Sequence, residues 1–167
     1  AALMRQAGQS TGLNAFYIAS KIITETGGSI TATMTSGTNS TYPNIYNYYN
    51  IGAYSSATDG LKWASSGSSY SRPWSDPATA ITGGASFIYT NYYAKGQTTE
   101  YYQKFNVSPS ATNTKYTHQY MTALYGALNE SERMRTAYNA SGDTTCVFRI
   151  PVYNNMPSTN SSLSVID

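Results

Sequence analysis

One acidic residue, Glu25, ends a stretch of sequence that is otherwise almost wholly apolar. The stretch begins with a helix N-cap candidate, Asn14, and stops at a pair of glycines, so it predicts a core helix. Ile18 and Ile22 precede Glu25 by seven and three positions and therefore share its face of the helix. A carboxyl group held against an apolar face loses hydration. Its pKa rises, and it can carry a proton near neutral pH, as a general acid must.

A structural role for Glu25 is the alternative at this stage. Lys21 lies four residues before it, so the two side chains could form a surface ion pair along the helix. That order of charges is the weaker of the two orientations, and a carboxylate near a helix C-terminus is disfavoured by the helix dipole. Structural ion pairs also perturb carboxyl groups, so the residues alone leave both roles open.

The other carboxyl groups are few, and the sequence places none of them in a comparable apolar setting. The chain has eight acidic residues, and none occurs between 26 and 58. A two-carboxylate glycosidase with its second carboxylate in that loop is therefore excluded. Asp76 is expected to cap a helix, and Glu130 and Glu132 are expected on a solvated helix face beside two arginines. Glu100 receives no role from the sequence.

Other catalytic chemistries have little support in the residue inventory. His118 is the only histidine, so any Ser-His-Asp triad must use it, and no G-x-S-x-G motif is present. Cys146 is the only cysteine and lies in an apolar, strand-like run, which favours a buried and inert thiol. One cysteine excludes an internal disulfide, and with one histidine no zinc site is expected. We expect no metal and no cofactor.

The composition favours a polar, aromatic surface with few charges. Only 11% of the residues are charged and the net charge is +2, which argues against nucleic acid as the main partner. Seventeen tyrosines offer apolar faces with hydroxyl groups, which suit a groove that stacks on sugars. No apolar segment is long enough to span a membrane. The chain begins in mid-pattern, as a domain cut from a longer protein would, and its composition suits a secreted wall protein of a Gram-positive bacterium.

The coarse pattern predicts a mainly helical domain. Helices are expected over 1–8, 13–26, 59–65, 77–95 and 117–138, and Gly83-Gly84 within the fourth indicates a close helix–helix contact. Residues 28–45 suggest an irregular strand or an extended loop, 98–107 a strand or a turn, and 144–152 a final strand. Residues 156–167 are rich in serine and asparagine and predict a linker.

Several motifs, in order along the chain, resemble one known family. They are the helix end Glu25-Thr26-Gly27, the block 46–54 (Tyr-Asn-Tyr-Tyr-Asn-Ile-Gly-Ala-Tyr), the helix around 81–93, and Thr117-His118-Gln119-Tyr120. Together they resemble the glucosaminidase domain of bacterial autolysins, glycoside hydrolase family 73, closest in pattern to clostridial autolysins. Each motif alone is weak, whereas four in the correct order are specific. The resemblance covers roughly residues 1–140.

The resemblance implies an α+β, lysozyme-like fold that is predominantly α-helical, with two lobes flanking a glycan groove. It implies a catalytic domain over 1–145, and we expect a C-terminal strand and a tail or linker over 146–167. The implied activity is cleavage of the β-1,4 bond after N-acetylglucosamine in peptidoglycan, with glycan strands as partner and no nucleic acid or membrane. Such a domain is expected to be a secreted, monomeric cell-wall enzyme.

The resemblance also assigns site residues. Glu25 matches the general acid, and Tyr120 is expected beside the reacting centre. The substrate-binding candidates are Tyr46, Asn47, Tyr48, Tyr49, Asn50, His118 and Gln119. Where the family often has an aspartate three residues after Tyr120, this chain has Ala123, so no carboxylate role is expected in that segment.

The absence of a second carboxylate in the loop after Glu25 shapes the expected mechanism. The substrate's own 2-acetamido oxygen would then attack the anomeric carbon, a known exception to the two-carboxylate rule. Direct attack by a bound water, with inversion, is the rival route. Other classes stay open: a muramidase or lytic transglycosylase of the same fold, a non-catalytic glycan-binding module, or a structural adhesin, although the chain lacks the repeats expected of an adhesin.

Overall fold

The computed structural model describes residues 1–142, 151–156 and 158, and this part of the chain is helical without a β-strand. Two short 3₁₀ turns, Ser69–Ser71 and Tyr93–Lys95, lie on either side of the helix Pro77–Asn91. The α-helices in chain order are α1 (Ala2–Thr11), α2 (Ala15–Thr26), α3 (Thr33–Ser36), α4 (Ala57–Ala64), α5 (Pro77–Asn91), α6 (Glu100–Phe105) and α7 (Gly126–Ser141).

Local capping signals define α2, the helix that carries Glu25. The Asn14 side chain accepts hydrogen bonds from the backbone N–H groups of Phe16 and Tyr17, which satisfies donors that the first turn leaves unpaired. Gly27 ends the helix in the left-handed conformation, with φ at 61°. The predicted cap at Asn14 and the predicted end of this helix are confirmed, its first residue is Ala15 rather than residue 13, and Glu25 lies in its last turn.

The core forms where α1 and α2 pack together, with α5 against α1 and α7 against α2. Trp74, Tyr49 and Ile18 are among the largest side chains that are completely buried there. The Trp63 ring meets Trp74 edge-on at 5.2 Å between ring centroids. None of the helices in the described ranges has the length and apolarity needed to cross a membrane.

Gly83 and Gly84 of α5 give room to two aromatic rings rather than to another helix. A Cβ added at Gly83 would lie 2.3 Å from the Trp74 indole nitrogen, and one at Gly84 would lie 2.0 Å from Cδ2 of Tyr49. The predicted close contact is therefore present, but its nearest partners are these rings and the Tyr70 backbone carbonyl rather than a second helix. It fixes the ring of Tyr49, whose hydroxyl donates to the Ile81 carbonyl at 2.8 Å.

We expect Gly84→Ala to destabilise the domain by about 1–3 kcal/mol, because the added methyl overpacks a buried ring that has no free space to move into. Urea unfolding would measure the loss. Thr82→Ala on the same helix adds no atom and serves as the control. If Gly84→Ala were as stable as that control, the packing described here would be wrong.

Several predicted elements differ from the structure because distant contacts override the local pattern. Residues 28–45 contain the helical turn α3 instead of a strand, and the segment 98–107 forms the helix α6. The helix expected from Thr117 begins only at Gly126, and α5 ends at Asn91 rather than before Gly96. The strand expected over 144–152 lies outside the described residues except for 151–152, which are not in a strand. The predicted domain boundary at 145/146 lies wholly outside them.

Candidate active site

Glu25 lies at the C-terminal end of α2 and is only partly exposed. Burial raises the pKa of its carboxyl group above the ordinary value. Three neighbours act against this rise: a hydrogen bond from Asn50, the positive charge of Lys21 and an interaction with the Tyr120 hydroxyl. The net direction is upward, so the carboxyl group keeps its proton to a higher pH than a free glutamate does.

Asn50 fixes the Glu25 carboxyl from the loop 46–54. Its Nδ2 donates to the Glu25 backbone carbonyl and, at 3.2 Å, to Glu25 Oε2. Its backbone has a φ of 52°, a left-handed conformation that asparagine tolerates better than most residues. The loop therefore presents one amide donor to both the backbone and the side chain of the same glutamate.

Two fully buried residues hold this loop from within. Asn47 donates from Nδ2 to the carbonyls of Ile51 and Gly60, at 2.8 and 3.0 Å, and Tyr49 is anchored in the core beside α5. Neither side chain faces solvent, so the direct substrate contact expected from them is not what the structure shows. They support the position of Asn50 instead.

Tyr120 approaches Glu25 from the segment that precedes α7. Among the described residues no atom meets the geometry of a hydrogen bond to its buried hydroxyl, yet the hydroxyl is close enough to favour the ionised form of Glu25. Burial, followed by the negative charge of Glu25, raises the pKa of Tyr120 well above its usual value. The hydroxyl therefore stays neutral and can donate a hydrogen bond.

The Tyr120 ring is clamped between two side chains. Tyr92 meets it edge-on at 5.1 Å between centroids, and the Lys21 ammonium lies 4.1 Å from its centroid. A cation over an aromatic face attracts the ring quadrupole, and the attraction is stronger where water is excluded. This contact of Tyr92 is not among the expectations from the sequence.

The irregular segment 114–122, which carries Tyr120, is held by hydrogen bonds from buried polar residues. Lys104 donates to the carbonyls of Met121 and Thr122, and the Tyr120 N–H donates to the Gln103 carbonyl at 3.0 Å. Similar bonds run from the side chains of Gln97 and Asn106 to the carbonyls of His118, Thr114 and Thr117. The segment is thus ordered without being helical.

Lys21 pairs with two buried carboxyl groups, neither of which is Glu25. Its Nζ lies 2.6 Å from Glu100 Oε2 on α6 and 2.7 Å from Glu130 Oε2 on α7. The expectation that Glu130 lies on a solvated face is wrong, because the α2–α7 packing encloses it and only 1% of it is exposed. The surface ion pair between Lys21 and Glu25 is likewise replaced by this internal cluster.

The remaining predicted binding residues lie at the surface of the same region or near it. Tyr46 and Tyr48 are half-buried, with near-parallel rings 6.2 Å apart, and Tyr48 donates to the Thr35 carbonyl. His118 is exposed, stacks on Tyr92 at 4.7 Å and forms a hydrogen bond to the Asn91 carbonyl through Nε2. Gln119 is exposed.

Comparison with known proteins adds independent support for the family, although no protein-family model matches the chain. The chain is 30% identical over 161 residues to a bifunctional autolysin of Staphylococcus epidermidis, covering 91% of this chain and 11% of that protein. It is 34% identical over 146 residues to a β-N-acetylglucosaminidase of Bacillus subtilis, covering 84% of this chain and 15% of that protein. The chain belongs with the glucosaminidase domains of bacterial autolysins.

A solved structure supports the same relationship at the level of the fold. S. aureus autolysin E, crystallised in complex with the muropeptide NAM-L-Ala-D-iGlu, matches with a TM-score of 0.66 and 26% sequence identity. The match covers 84% of this chain and 59% of the autolysin E chain. The predicted family and the predominantly helical, glucosaminidase-type fold are thereby confirmed.

Glu25 differs from the two buried glutamates of this region in its exposure and in its neighbours. Glu100 and Glu130 are 3% and 1% exposed and are engaged with Lys21, so neither is available to a substrate. Glu25 is only partly buried, has a raised pKa and is flanked by two neutral donors, Asn50 and Tyr120. This arrangement can deliver one proton and offer one hydroxyl donor.

Proposed function

We propose that the chain is a peptidoglycan hydrolase that cleaves the β-1,4 bond between N-acetylglucosamine and N-acetylmuramic acid. The observation that carries the proposal is the partly buried Glu25 carboxyl, with its raised pKa, set between the Asn50 amide and the Tyr120 hydroxyl. The relationship to autolysins and to a β-N-acetylglucosaminidase supports the choice of substrate. Under this proposal the enzyme works in the wall of a Gram-positive cell, as a secreted monomer, in autolysis or daughter-cell separation.

In the proposed mechanism Glu25 protonates the glycosidic oxygen as the bond to the anomeric carbon breaks. The 2-acetamido oxygen of the N-acetylglucosamine unit attacks that carbon and forms a cyclic intermediate, which water then opens with Glu25 accepting the proton. The neutral Tyr120 hydroxyl donates to the acetamido group and orients it. The engagement of Glu100 and Glu130 with Lys21 supports this route, since neither is free to act as the second carboxylate.

Substrate contacts are proposed for predicted binding residues that are half-buried or exposed. Tyr46 and Tyr48 offer near-parallel rings on which sugar faces can stack, and His118 and Gln119 lie one and two residues before Tyr120. Asn50 binds Glu25 through Nδ2, and its side-chain oxygen can accept a hydrogen bond from the sugar.

The bond that is cleaved can be read from the new reducing ends. Purified Gram-positive peptidoglycan is digested with the domain, reduced with borohydride and analysed by mass spectrometry. Reduced N-acetylglucosamine at the new ends supports the proposal. Reduced N-acetylmuramic acid would make the enzyme a muramidase, and anhydro ends a transglycosylase. No new ends, with binding to the wall retained, would leave a glycan-binding module.

The stereochemistry of the first product separates the two mechanisms. Participation of the acetamido oxygen retains the β configuration, whereas direct attack by water inverts it. Proton NMR during the first minutes of hydrolysis, before mutarotation, reports the anomer. An α product formed first would eliminate the acetamido route and leave an inverting glucosaminidase.

We expect Tyr120→Phe to lower kcat by about 10²-fold, the usual effect of removing one donor to a charge that develops in the reaction. Its hydroxyl favours the ionised form of Glu25, so its removal raises the pKa of Glu25 and moves the alkaline limb of the pH–rate profile upward. The fold should survive, because the hydroxyl makes no regular hydrogen bond within the described part of the chain. Unchanged kcat and an unchanged limb would remove Tyr120 from the reaction.

A further inference from the structure

The cluster of Lys21, Glu100 and Glu130 has a charge imbalance that the mechanism above leaves unexplained. One ammonium and two carboxyl groups meet in the interior, with the three side chains at most 2% exposed. If both carboxyl groups were ionised, the cluster would hold a net negative charge with no access to water. Two like charges that share such a site cannot both ionise without a large cost.

The hydrogen bonds of the cluster point to where the missing proton lies. Glu100 Oε1 is buried and finds no hydrogen-bond donor among the described residues, and Glu130 Oε2 has its 2.7 Å ion pair with Lys21 but no hydrogen bond of regular geometry. A carboxylate oxygen can only accept, so two facing carboxylates cannot satisfy one another. The Glu100 and Glu130 side chains are close enough to bond to one another once a proton lies between them. One proton therefore restores both the charge balance and the hydrogen bonding.

The cluster is continuous with the Glu25–Tyr120 pair. Lys21 lies one helical turn before Glu25 on α2, and its ammonium contacts the Tyr120 ring at 4.1 Å. Of the two cluster carboxyl groups, Glu130 is the one whose charge raises the pKa of Glu25. The other titratable groups that interact with the cluster are Tyr17 on α2 and Tyr120 itself.

We propose that Lys21, Glu100 and Glu130 are positioning residues for the Glu25–Tyr120 pair, and that Glu100 and Glu130 hold one proton between them at neutral pH. The cluster fixes the Tyr120 ring through the Lys21 ammonium and sets the field in which Glu25 titrates. This inference rests on the proposed function for its effect on catalysis, but the shared proton can be tested without any substrate.

The pKa directions agree with this assignment. Burial raises the pKa of Glu100 well above its usual value, the Lys21 charge opposes the rise, and Glu130 adds to it. Burial lowers the pKa of Lys21, but the attraction of the two carboxyl groups outweighs it and leaves the pKa raised. The lysine thus stays charged, and the proton of the carboxyl pair lies on Glu100, facing Glu130.

The first test measures proton uptake on folding. If the native pair binds a proton that the unfolded chain releases, the unfolding equilibrium constant rises about tenfold per pH unit above the unfolded glutamate pKa of about 4.3. Glu100→Gln and Glu130→Gln each leave one carboxylate to pair with Lys21, so both should lose this component of the pH dependence. Glu132→Gln, at an exposed position on α7, should keep it.

The second test uses the same two variants on catalysis. In Glu100→Gln the remaining negative charge stays at Glu130, as in the parent protein, so the alkaline limb of the pH–rate profile should not move. In Glu130→Gln the charge moves to Glu100, away from Glu25. The pKa of Glu25 then falls, and the limb should shift to lower pH than in the parent and in Glu100→Gln.

The outcomes separate the inference from the function. If urea unfolding of both Gln variants shows the same pH dependence as Glu132→Gln, the shared proton is disproved, whatever the enzyme does. If the unfolding result holds but the limbs of both variants coincide with the parent, the cluster is structural and the positioning role is disproved. A domain without glycosidase activity would overturn the proposed function while leaving the unfolding test intact.

Discussion

Glu25→Gln lowers the rate of peptidoglycan cleavage by about 10²–10⁴-fold, the range that a positioned general acid contributes. Glutamine has the same shape and can still meet the Asn50 side chain through its carbonyl oxygen, but it has no proton to give to a leaving oxygen. Release of reducing ends from purified peptidoglycan measures the loss. Glu132→Gln, which removes an exposed carboxyl group from α7, is the matched control and should retain full activity.

The same substitution should leave the stability of the domain unchanged or raise it. The pKa of Glu25 is raised in the folded state, so its contribution to stability is complete below the unfolded pKa and is lost as pH rises through the folded value. At neutral pH the parent protein therefore carries a cost that glutamine does not have. Thermal unfolding at pH 7 should give a Tm equal to or above that of the parent. Full activity in the variant, or a large fall in its Tm, would contradict the assigned role.

An ionised glutamate on an apolar helix lowers the stability of the fold at neutral pH, and such a residue in a sequence therefore indicates a functional role. The signals for α2 are local: the Asn14 cap, the apolar face and the glycine pair lie within the stretch itself. The helix and the unusual position of Glu25 could therefore be predicted from the residues alone. Asn50 and Tyr120 came only from the resemblance to a family, since nothing local brings residues 25, 50 and 120 together.

The segment 117–125 shows why other elements could not be predicted. Its apolar spacing is helical, but the chain forms hydrogen bonds to Gln103 and Lys104 of α6 instead of to itself. Such bonds join residues more than fifteen positions apart, and a pattern read within one segment contains no trace of them. The segment therefore has no helical hydrogen bonds of its own, and this irregular path brings Tyr120 close to Glu25.

The buried cluster was also hidden by its separation along the chain. Lys21, Glu100 and Glu130 lie on three helices. The sequence pattern pairs Lys21 and Glu130 with their local neighbours and gives Glu100 no role. One signal was available: an ammonium on an apolar helix must be paired when the helix is buried. That rule demands a partner for Lys21 without naming it, and only the packing of α6 and α7 against α2 identifies the two glutamates.

Lys21→Met should therefore destabilise the domain by about 3–5 kcal/mol near neutral pH, the usual cost of removing one partner from a buried ion pair. Methionine fills similar space but leaves Glu100 and Glu130 without a counter-charge, and both must then be protonated in the folded state. Urea unfolding measures the free-energy loss. Lys62→Met, an exposed lysine on α4, is the control and should change stability little.

The pH dependence of the Lys21→Met deficit distinguishes lost charge from lost packing. Without the ammonium, no positive charge stabilises an ionised carboxyl group in the cluster. The deficit is therefore smallest below the unfolded glutamate pKa of about 4.3, where both groups are protonated in either state, and it grows as pH increases above that value. The difference from the parent should be small near pH 4 and should grow towards pH 7. A deficit of the same size at both pH values would mean that it comes from poor packing of the methionine. The loss of the Lys21 charge beside the two carboxyl groups would then contribute little to stability.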